Sequence, residues 1–533
     1  MKKRAVTFGA VIAAVVVALA GLGAFVVAQI LTHPPEDTAR FLPEETAFYA
    51  SLNLRPGVDQ LTQAVDVLDR FKENPEFELK LDEFYDQIEE ELGIDVEADV
   101  FPWIGPEVSM AIPNFDGIDD APDVVAFIGA TDRAAAEAAV RKLVARAESE
   151  DSPFTETQTR GHLSFIGEES DDLPKYIVLT DDYIVFATSE ELLTDTLDRM
   201  EPDYTGPTLL DKPGFQGARS AAQSPRFGIL YVDLSAVLSG AGEVDLEDFG
   251  VLGLVGDQAP EFVVASLAFF DGGVRVATSF DTTDDSLVAP SPNTLASASL
   301  APHDALALVS FVGLREAWEA YADDTAEIDE LFDTVGQELG IDIEDDILSW
   351  VSGELAAAVL LPEGATLGIE EIHANLYVEF DDREAALSGL GKVRTLLESS
   401  GLAFRDTSIG GYDAVMAGAG DAGDVLGLSP GYVVLDRYVV IGTSEESLRQ
   451  AVAAKSGEVA TLAQAPAFTR PVEAAGGTAD YMVYANIERI VEALMAESEE
   501  DDFAQLLEPL QAILLSATAG EDVSTYGAVL TID

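Results

Sequence analysis

Apolar and polar positions along the chain follow two periods, one typical of strands and one of helices. A β-branched and aromatic run at residues 46–54 is followed by a helical pattern at 58–71. A second helical pattern at 77–92 places apolar side chains three or four residues apart. Residues 262–270 and 274–280 predict a hairpin. Together these elements favour an α+β fold, an antiparallel-rich sheet with helices packed on it.

Shorter runs continue the pattern between these elements. Further strands are predicted at 108–112, 124–130, 163–166, 176–180, 183–188 and 227–234, and a further helix at 133–147. Gly105 and Pro106 predict a break before the first of these strands. Thr188 and Glu191 have the spacing of a capping box, which predicts the start of a helix.

One stretch of the chain occurs twice. Residues 91–107 read ELGIDVEADVFPWIGPE, and residues 338–354 read ELGIDIEDDILSWVSGE, 247 positions later and without a gap. Other segments of the two halves correspond at offsets of up to 259 positions, as expected when insertions fall in loops. We infer a tandem duplication of one α+β module.

The predicted domain organisation follows from this duplication and from the N-terminal composition. The segments are residues 1–4 as a cytoplasmic tail, 5–31 as a transmembrane helix, 32–41 as a spacer, 42–281 as the first α+β repeat, 282–294 as a linker and 295–533 as the second α+β repeat. Whether the two repeats share one sheet is open at this point.

The N-terminal apolar segment predicts the location of the protein. Residues 5–31 would form a helix ~40 Å long at about 1.5 Å per residue, enough to cross a ~30 Å hydrocarbon core. Basic residues at positions 2–4 predict a cytoplasmic N-terminus and an extracytoplasmic body. A cleaved signal peptide is the alternative, and it also places the body outside the cell membrane.

The net charge and the absence of cysteine limit which partners and which kinds of site the protein can have. The chain has 98 acidic and 29 basic residues, a net charge of −69. Such a surface repels phosphate backbones, which excludes nucleic acid as a partner and leaves cations and cationic peptides. The absence of cysteine removes disulfides, thiol catalysis and thiolate metal sites. We expect the membrane as one partner, and a protein, a peptide or an apolar ligand as another.

Several motifs together carry a family resemblance. They are the N-terminal apolar segment, Leu-Pro at 42–43, TAFY at 46–49, LGID at 92–95 and PWIGPE at 102–107. This combination resembles the bacterial domain-of-unknown-function family DUF3352. The resemblance covers nearly all of the chain after the anchor and implies a membrane-anchored extracytoplasmic protein, but no reaction and no catalytic residue. The second copy departs from the pattern at Ser349, Ser352 and Gly353.

The repeated acids are the sharpest candidates for chemistry. They form the pairs Asp95/Asp342, Asp99/Asp346 and Glu107/Glu354. Paired carboxylates can perform acid–base catalysis or bind calcium, provided that the fold brings them together. Helix capping, turn formation and solvation explain each position without a ligand, and we favour that interpretation.

The remaining motifs predict no site. The run GAGDAG at 418–423 leads into a strand, whereas a dinucleotide loop leads into a helix. The acidic segments 114–120 and 497–502 are typical of solvated loops. The histidines at positions 33, 162, 303 and 373 have no repeated counterpart, and the aromatic residues Trp103, Trp318, Trp350, Tyr183 and Tyr438 fall at core-like positions. We therefore predict no catalytic, cofactor-binding or metal-binding residue.

These observations predict a non-catalytic binding or interaction module, membrane-anchored and built from a duplicated domain. One alternative is an envelope carrier for a lipid or another apolar ligand. The other is a carboxylate-dependent envelope hydrolase, which would require two acids such as Glu107 and Glu354 within about 5–10 Å of each other. The expectation is no enzymatic activity and no cofactor.

Overall fold

Most of the chain after residue 35 has a described structure. The computed structural model describes residues 36–54, 58–72, 79, 94–115, 122–149, 153–167, 174–241, 260–281, 293–315, 342, 344–361, 372–399, 401–418, 429–497, 507, 509–520 and 523–532. The chain divides into two compact units, Met1–Asp284 and Asp285–Asp533. Helices and antiparallel strands occur in both units, which confirms the predicted mixed class with a large antiparallel sheet.

The described strands of the first unit pair antiparallel throughout. They are β1 Phe48–Asn53, β2 Ile104–Ile112, β3 Val125–Ala130, β4 Phe154–Thr159, β5 His162–Gly167, β6 Tyr176–Leu179, β7 Tyr183–Ala187, β8 Gly228–Asp233, β9 Phe262–Phe270 and β10 Gly273–Asp281. Their order is β4-β5-β6-β7-β3-β2-β1-β8-β9-β10. Strands β1 and β2 are therefore central, with hydrogen-bonded neighbours on both sides.

Helices pack on both faces of this sheet. They are α1 Val58–Lys72, α2 Arg133–Ser149, α3 Glu190–Met200, α4 Pro213–Ala221 and α5 Leu234–Ala241, with 3-10 turns at Asp37–Phe41 and Leu209–Asp211 and a π-helical turn at Val96–Val100. The face that carries Tyr49 and Tyr231 is called the first face, and it packs against the turn Asp37–Phe41, α3 and α4. The opposite second face carries a separate core around Trp103 beneath α2.

The second unit has its own described strands and helices. Its strands are β11 Ala307–Phe311, β12 Val351–Leu360, β13 His373–Phe380, β14 Phe404–Ile409, β15 Tyr412–Ala417, β16 Gly431–Val434, β17 Tyr438–Gly442, β18 Tyr481–Asn486, β19 Leu510–Thr518 and β20 Val523–Ile532. Its helices are α6 Arg383–Ser399, α7 Glu445–Ser456, α8 Pro466–Ala474 and α9 Ile487–Glu497, with 3-10 turns at Ala296–Ser299 and Leu462–Gln464 and a π-helical turn at Glu344–Leu348.

The strand order of the second unit is β14-β15-β16-β17-β13-β12-β11-β18-β19-β20. It is the order of the first unit, strand for strand. In the second unit, the first face carries Leu308 and Tyr484 and the second face carries Val309 and Val483, because side chains alternate along each strand.

Strand β2 begins earlier than predicted. The sequence indicated a break at Gly105 and Pro106, but the strand starts at Ile104 and runs through both residues. Its pairing with β3 shifts between Ile104 and Val108, which is a β-bulge. A bulge accommodates proline because one ladder N–H is not needed there.

The start of helix α3 lies one residue later than predicted. Ser189 is the N-cap, and its side chain accepts from the backbone N–H of Leu192. The hydroxyl of Thr188 instead donates to Asp123 at 3.1 Å. The predicted Thr188–Glu191 capping box is therefore wrong, because the Thr188 hydroxyl donates to the loop carboxylate of Asp123 and Ser189 caps the helix.

Part of the predicted spacer belongs to the folded first unit. Thr38 and Ala39 in the turn Asp37–Phe41 are completely buried. Asn293, at the end of the predicted linker, is also buried and donates to Ser310 Oγ at 2.7 Å. Both segments are drawn into the folded units because they hydrogen-bond to buried groups on the first face.

The membrane prediction concerns residues outside the described ones. Within the described ranges, which begin at residue 36, no helix has the length and apolarity needed to cross a membrane. The predicted span at 5–31 lies outside those ranges, and so do nearly all residues of the helix predicted at 77–92.

Candidate functional site

The repeated aspartates cap short helical turns. Asp95 precedes the turn Val96–Val100, and its carboxylate accepts from the backbone N–H of Ala98 at 2.9 Å. In the second unit the carboxylate of Asp342 accepts from the N–H of Asp345, also at 2.9 Å. The favoured capping interpretation is confirmed for these two residues, since a carboxylate at a helix N-terminus satisfies an otherwise free N–H.

The next repeated aspartate in each unit links the turn to a neighbouring helix. Asp99 forms an ion pair with Lys142 of α2, and Asp346 forms one with Lys392 of α6. The Lys392 ammonium lowers the pKa of the Asp346 carboxyl below its usual value. The backbone carbonyl of Asp346 also accepts from the indole N–H of Trp350 at 2.8 Å. Asp346 therefore joins the turn to helix α6 through its carboxylate and to Trp350 through its backbone carbonyl.

The repeated glutamate of the first unit lies inside the protein and was not expected there. Glu107 is 5% exposed and points from β2 toward the turn Asp37–Phe41. Its Oε1 accepts from Thr38 Oγ1 at 2.7 Å, from Ser51 Oγ at 2.8 Å and from Tyr49 OH at 3.0 Å. Its Oε2 accepts from the Thr38 N–H at 3.2 Å. The solvation interpretation is wrong for this residue.

The second unit builds the same arrangement around Glu354, which is 2% exposed. Its Oε1 accepts from Ser297 Oγ at 2.5 Å and from Ser310 Oγ at 2.6 Å. Its Oε2 accepts from the Ser297 N–H at 2.8 Å and from Tyr438 OH at 2.9 Å. In each unit a buried carboxylate therefore ties an N-terminal turn to the central strands.

The two hydroxyl sets differ in the origin of the phenol. Thr38 and Ser297 are 259 positions apart, but Leu308 occupies the position that corresponds to Tyr49. The missing phenol is supplied from β17 by Tyr438, whose counterpart Tyr183 donates to Asp37 at 3.3 Å instead. Sequence reasoning missed these hydroxyls, although aligning the residues before the first strand of each half would have paired them.

Burial changes the acid–base behaviour of the first cluster. Removal from water raises the pKa of the Glu107 carboxyl, although the hydroxyls of Thr38 and Ser51 oppose this effect. Burial, followed by the negative charge of Glu107, raises the pKa of Tyr49 well above its usual value. With both carboxylate oxygens engaged, the cluster is arranged to clamp the turn.

The raised pKa of Glu107 predicts a pH dependence of stability. The folded protein binds this proton more tightly than the unfolded chain, whose glutamates have a pKa of ~4.3. The contribution of Glu107 to the unfolding free energy therefore decreases as pH rises from ~4.3 through the raised pKa. We expect the wild type to lose stability relative to Glu107→Gln across this window, measured by urea denaturation at a series of pH values. A pH-independent difference between the two proteins would contradict the prediction.

A buried ion pair network holds the same N-terminal turn. Glu36 is 2% exposed and accepts from Arg226 Nε at 2.9 Å and from Arg219 Nε at 3.0 Å. In the second unit the corresponding residue is Leu295, which directly precedes the turn Ala296–Ser299. The residue before the N-terminal turn is therefore held by ion pairs in the first unit, whereas the second unit has an apolar side chain at this position.

The second face of the first unit contains an open apolar trough. It has a volume of ≈ 300 Å³ and its floor is formed by β1, β2, β8, β9 and β10. Ser51 and Ser109 contribute main chain only, because their hydroxyls engage groups of the first face. The side chains that point into the trough are apolar, and they include Leu52, Met110, Leu230, Leu267 and Val276.

The second unit carries a matching surface, which we call the apolar row. It crosses six neighbouring strands in register through Ile441, Leu376, Ala357, Val309, Val483 and Leu515. Val309 is 43% exposed and Leu515 is 45% exposed. Beside the row, the rings of Phe311 and Tyr481 stack with centroids 6.1 Å apart. Both units therefore leave the middle of the second face apolar and accessible.

The other sequence candidates do not converge on this surface. Among the described residues, no group of three or more histidines, aspartates or glutamates is arranged to hold a metal ion. Trp103, Trp350, Tyr183 and Tyr438 are buried, as expected for core positions. Trp318, His33 and most of the segments 114–120, 418–423 and 497–502 lie outside the described residues.

Comparison with known proteins identifies a family and little else. No curated protein matches the chain. Crystal forms I and III of TP0453 each align at 11% identity and a TM-score of 0.25, over 48% of this chain and 81% and 82% of that chain, respectively. These scores are too low to support a conclusion about fold or function. A family model described as "Protein of unknown function (DUF3352)" matches residues 10–531, nearly the whole sequence, and the chain belongs to that family.

Proposed function

We propose that the chain is a non-catalytic binding protein that receives an apolar guest on the second face of its sheets. In this proposal the body is a duplicated α+β module, held outside the cell by a transmembrane helix at residues 5–31. The observation that carries the binding role is the concentration of exposed apolar side chains on the second face.

Exposed apolar side chains are unevenly distributed. Among the described residues, ten large apolar side chains are exposed, and seven of them belong to the second face of the two units. These seven are Leu230, Val276, Val309, Ile441, Tyr481, Val483 and Leu515. Contiguous apolar surface of this kind marks interaction sites, whereas isolated exposed apolar residues are ordinary. The pattern therefore supports binding.

The duplicated origin is supported by topology and by the buried clusters. The two units share one strand order, and each has a buried glutamate on its second strand that binds the hydroxyls of an N-terminal turn. Ser51 and Ser310, which donate to these glutamates, are 259 positions apart, as are Thr38 and Ser297. Independent folds would not be expected to share such a polar interior.

A carrier for one lipid or other apolar molecule is a second candidate. The trough of the first unit, at ≈ 300 Å³, is at the lower end of the ~300–1,000 Å³ range of small-molecule sites. No observation on the described residues favours the hydrolase alternative, because Glu107 and Glu354 each have both oxygens engaged within their own unit.

A single-cysteine labelling experiment tests the proposed function. Because the chain has no cysteine, Leu230→Cys and Val483→Cys can each be labelled uniquely with an environment-sensitive fluorophore in the full-length protein. We expect 1-decanol, an uncharged apolar probe, to shift the emission of both labels to shorter wavelength. The control is Leu387→Cys, an exposed position on helix α6. Equal responses at all three labels, or none from any guest, would overturn the proposal.

A further inference from the structure

We propose that the apolar row of the second unit binds a cationic amphipathic helical peptide. This inference rests on the proposed function and adds the chemical class of the guest. Two independent features support it: the apolar composition of the row and the strongly negative net charge of the chain.

The row offers only side-chain contacts. Strands β11, β12 and β18 are each paired on both sides, so the middle of the sheet has no free backbone edge for an added strand. The exposed side chains Val309, Val483 and Leu515 have no hydrogen-bonding groups. A peptide guest must therefore bring a preformed apolar surface with its own backbone satisfied, and the apolar face of an amphipathic helix meets both requirements.

The length of the row suits a helix of several turns. Six neighbouring strands at ~4.8 Å spacing span ~24 Å. A helix that covers this distance has about 16 residues at 1.5 Å per residue. Such a helix presents its apolar residues at i, i+3, i+4 and i+7, which provides enough contacts to cover the row.

The charge of the protein selects a cationic guest. The chain has 98 acidic and 29 basic residues, and the described basic side chains of the second unit are largely paired already. Such pairs include Lys392–Asp346, Arg394–Asp406, Arg405–Glu445, Arg437–Glu379 and Lys455–Asp436. The excess carboxylates therefore produce a negative field that attracts basic peptides and repels acidic ones. A helical peptide with Lys or Arg on its polar face is attracted by this negative field, while its apolar face contacts the apolar row.

The test uses three synthetic peptides and the full-length protein labelled at Val483→Cys. The first peptide has leucines on one helical face and lysines on the other. The second has glutamates in place of the lysines, and the third has the composition of the first in a scrambled order without an apolar face. We expect the first peptide to bind at least tenfold more tightly than either control and to weaken as salt increases.

A matched variant separates the row from the rest of the surface. In proteins labelled at Val483→Cys, the double substitution Val309→Thr and Leu515→Thr should weaken binding of the first peptide about tenfold. The substitution Leu387→Thr on helix α6 should leave it unchanged. Threonine is β-branched and well tolerated in strands, so the strands should persist, and circular dichroism checks this.

The possible results distinguish failure of the peptide inference from failure of the proposed function on which it rests. Equal binding of lysine and glutamate peptides, or of ordered and scrambled ones, would overturn the inference. If 1-decanol shifts the emission of the label while the lysine peptide neither shifts that emission nor displaces 1-decanol, the proposed function stands and the peptide inference fails. If neither guest produces a shift, both fail.

Discussion

Replacing Glu107 by alanine is expected to lower the unfolding free energy of the first unit by about 3–5 kcal/mol. The change removes the common acceptor of four buried donors, from Thr38, Ser51 and Tyr49. The donors lose a charged acceptor in a buried site, so they lose most of their hydrogen-bond energy. The turn Asp37–Phe41 should then detach from the sheet.

Urea denaturation followed by fluorine NMR measures this effect unit by unit. With fluorotryptophan in the full-length chain, Trp103 reports on the first unit, and Trp318 and Trp350 report on the second. Glu354→Ala should shift the second unit's signals by a comparable amount and leave that of Trp103 nearly unchanged. Glu156→Ala, which removes an exposed ion pair with Arg141, should leave the Trp103 transition nearly unchanged, because solvent screens exposed ion pairs. A decrease in unfolding free energy of less than about 1 kcal/mol for Glu107→Ala would disprove that Glu107 holds the turn Asp37–Phe41 on the sheet.

Replacing Arg226 by alanine is expected to destabilise the first unit by about 3 kcal/mol. The side chain of Arg226 is 10% exposed, and its loss leaves the buried Glu36 carboxylate with Arg219 alone. A buried charge that keeps only one, more exposed partner is costly because burial removes its hydration. Arg219→Ala should cost less, since Arg219 is more exposed and the closer pair with Arg226 remains.

The second unit suggests a rescue of this variant. Its residues at the positions of Glu36, Arg219 and Arg226 are Leu295, Val472 and Ala479. The triple substitution Glu36→Leu, Arg219→Val and Arg226→Ala should therefore recover most of the stability lost in Arg226→Ala, because an apolar set can replace a buried ion network. A triple variant less stable than Arg226→Ala would show that the charges themselves are required. The Trp103 signal in urea denaturation measures both.

Local patterns in the sequence predicted many elements near their observed bounds. The helix predicted at 58–71 is observed as Val58–Lys72, and the strand predicted at 262–270 as Phe262–Phe270. These succeed because periodicity reports which side of an element faces the core. The bulge at Pro106 and the cap at Ser189 were mispredicted, since each depends on a partner distant in sequence: strand β3 for the bulge and Asp123 for the cap.

The candidate site was only half visible in the sequence. Glu107 and Glu354 stood out because they recur 247 positions apart, but nothing local distinguished them from solvated acids. Their burial depends on turns that contain Thr38 and Ser297, which lie 69 and 57 residues earlier in the chain. The apolar row was equally hidden, because a valine at position 309 or 483 looks like an ordinary core residue until the uncovered part of the sheet is known.

By itself the sequence determined the mixed fold class, the family resemblance and the acidic character of the protein, because these depend on composition, repeated motifs and short-range periodicity. Only the tertiary structure decided which glutamates are buried, which hydroxyls bind them and which face of each sheet is left open. These outcomes depend on contacts between residues far apart in the chain, and hydrophobicity at a single position cannot tell an inward-facing valine from an exposed one.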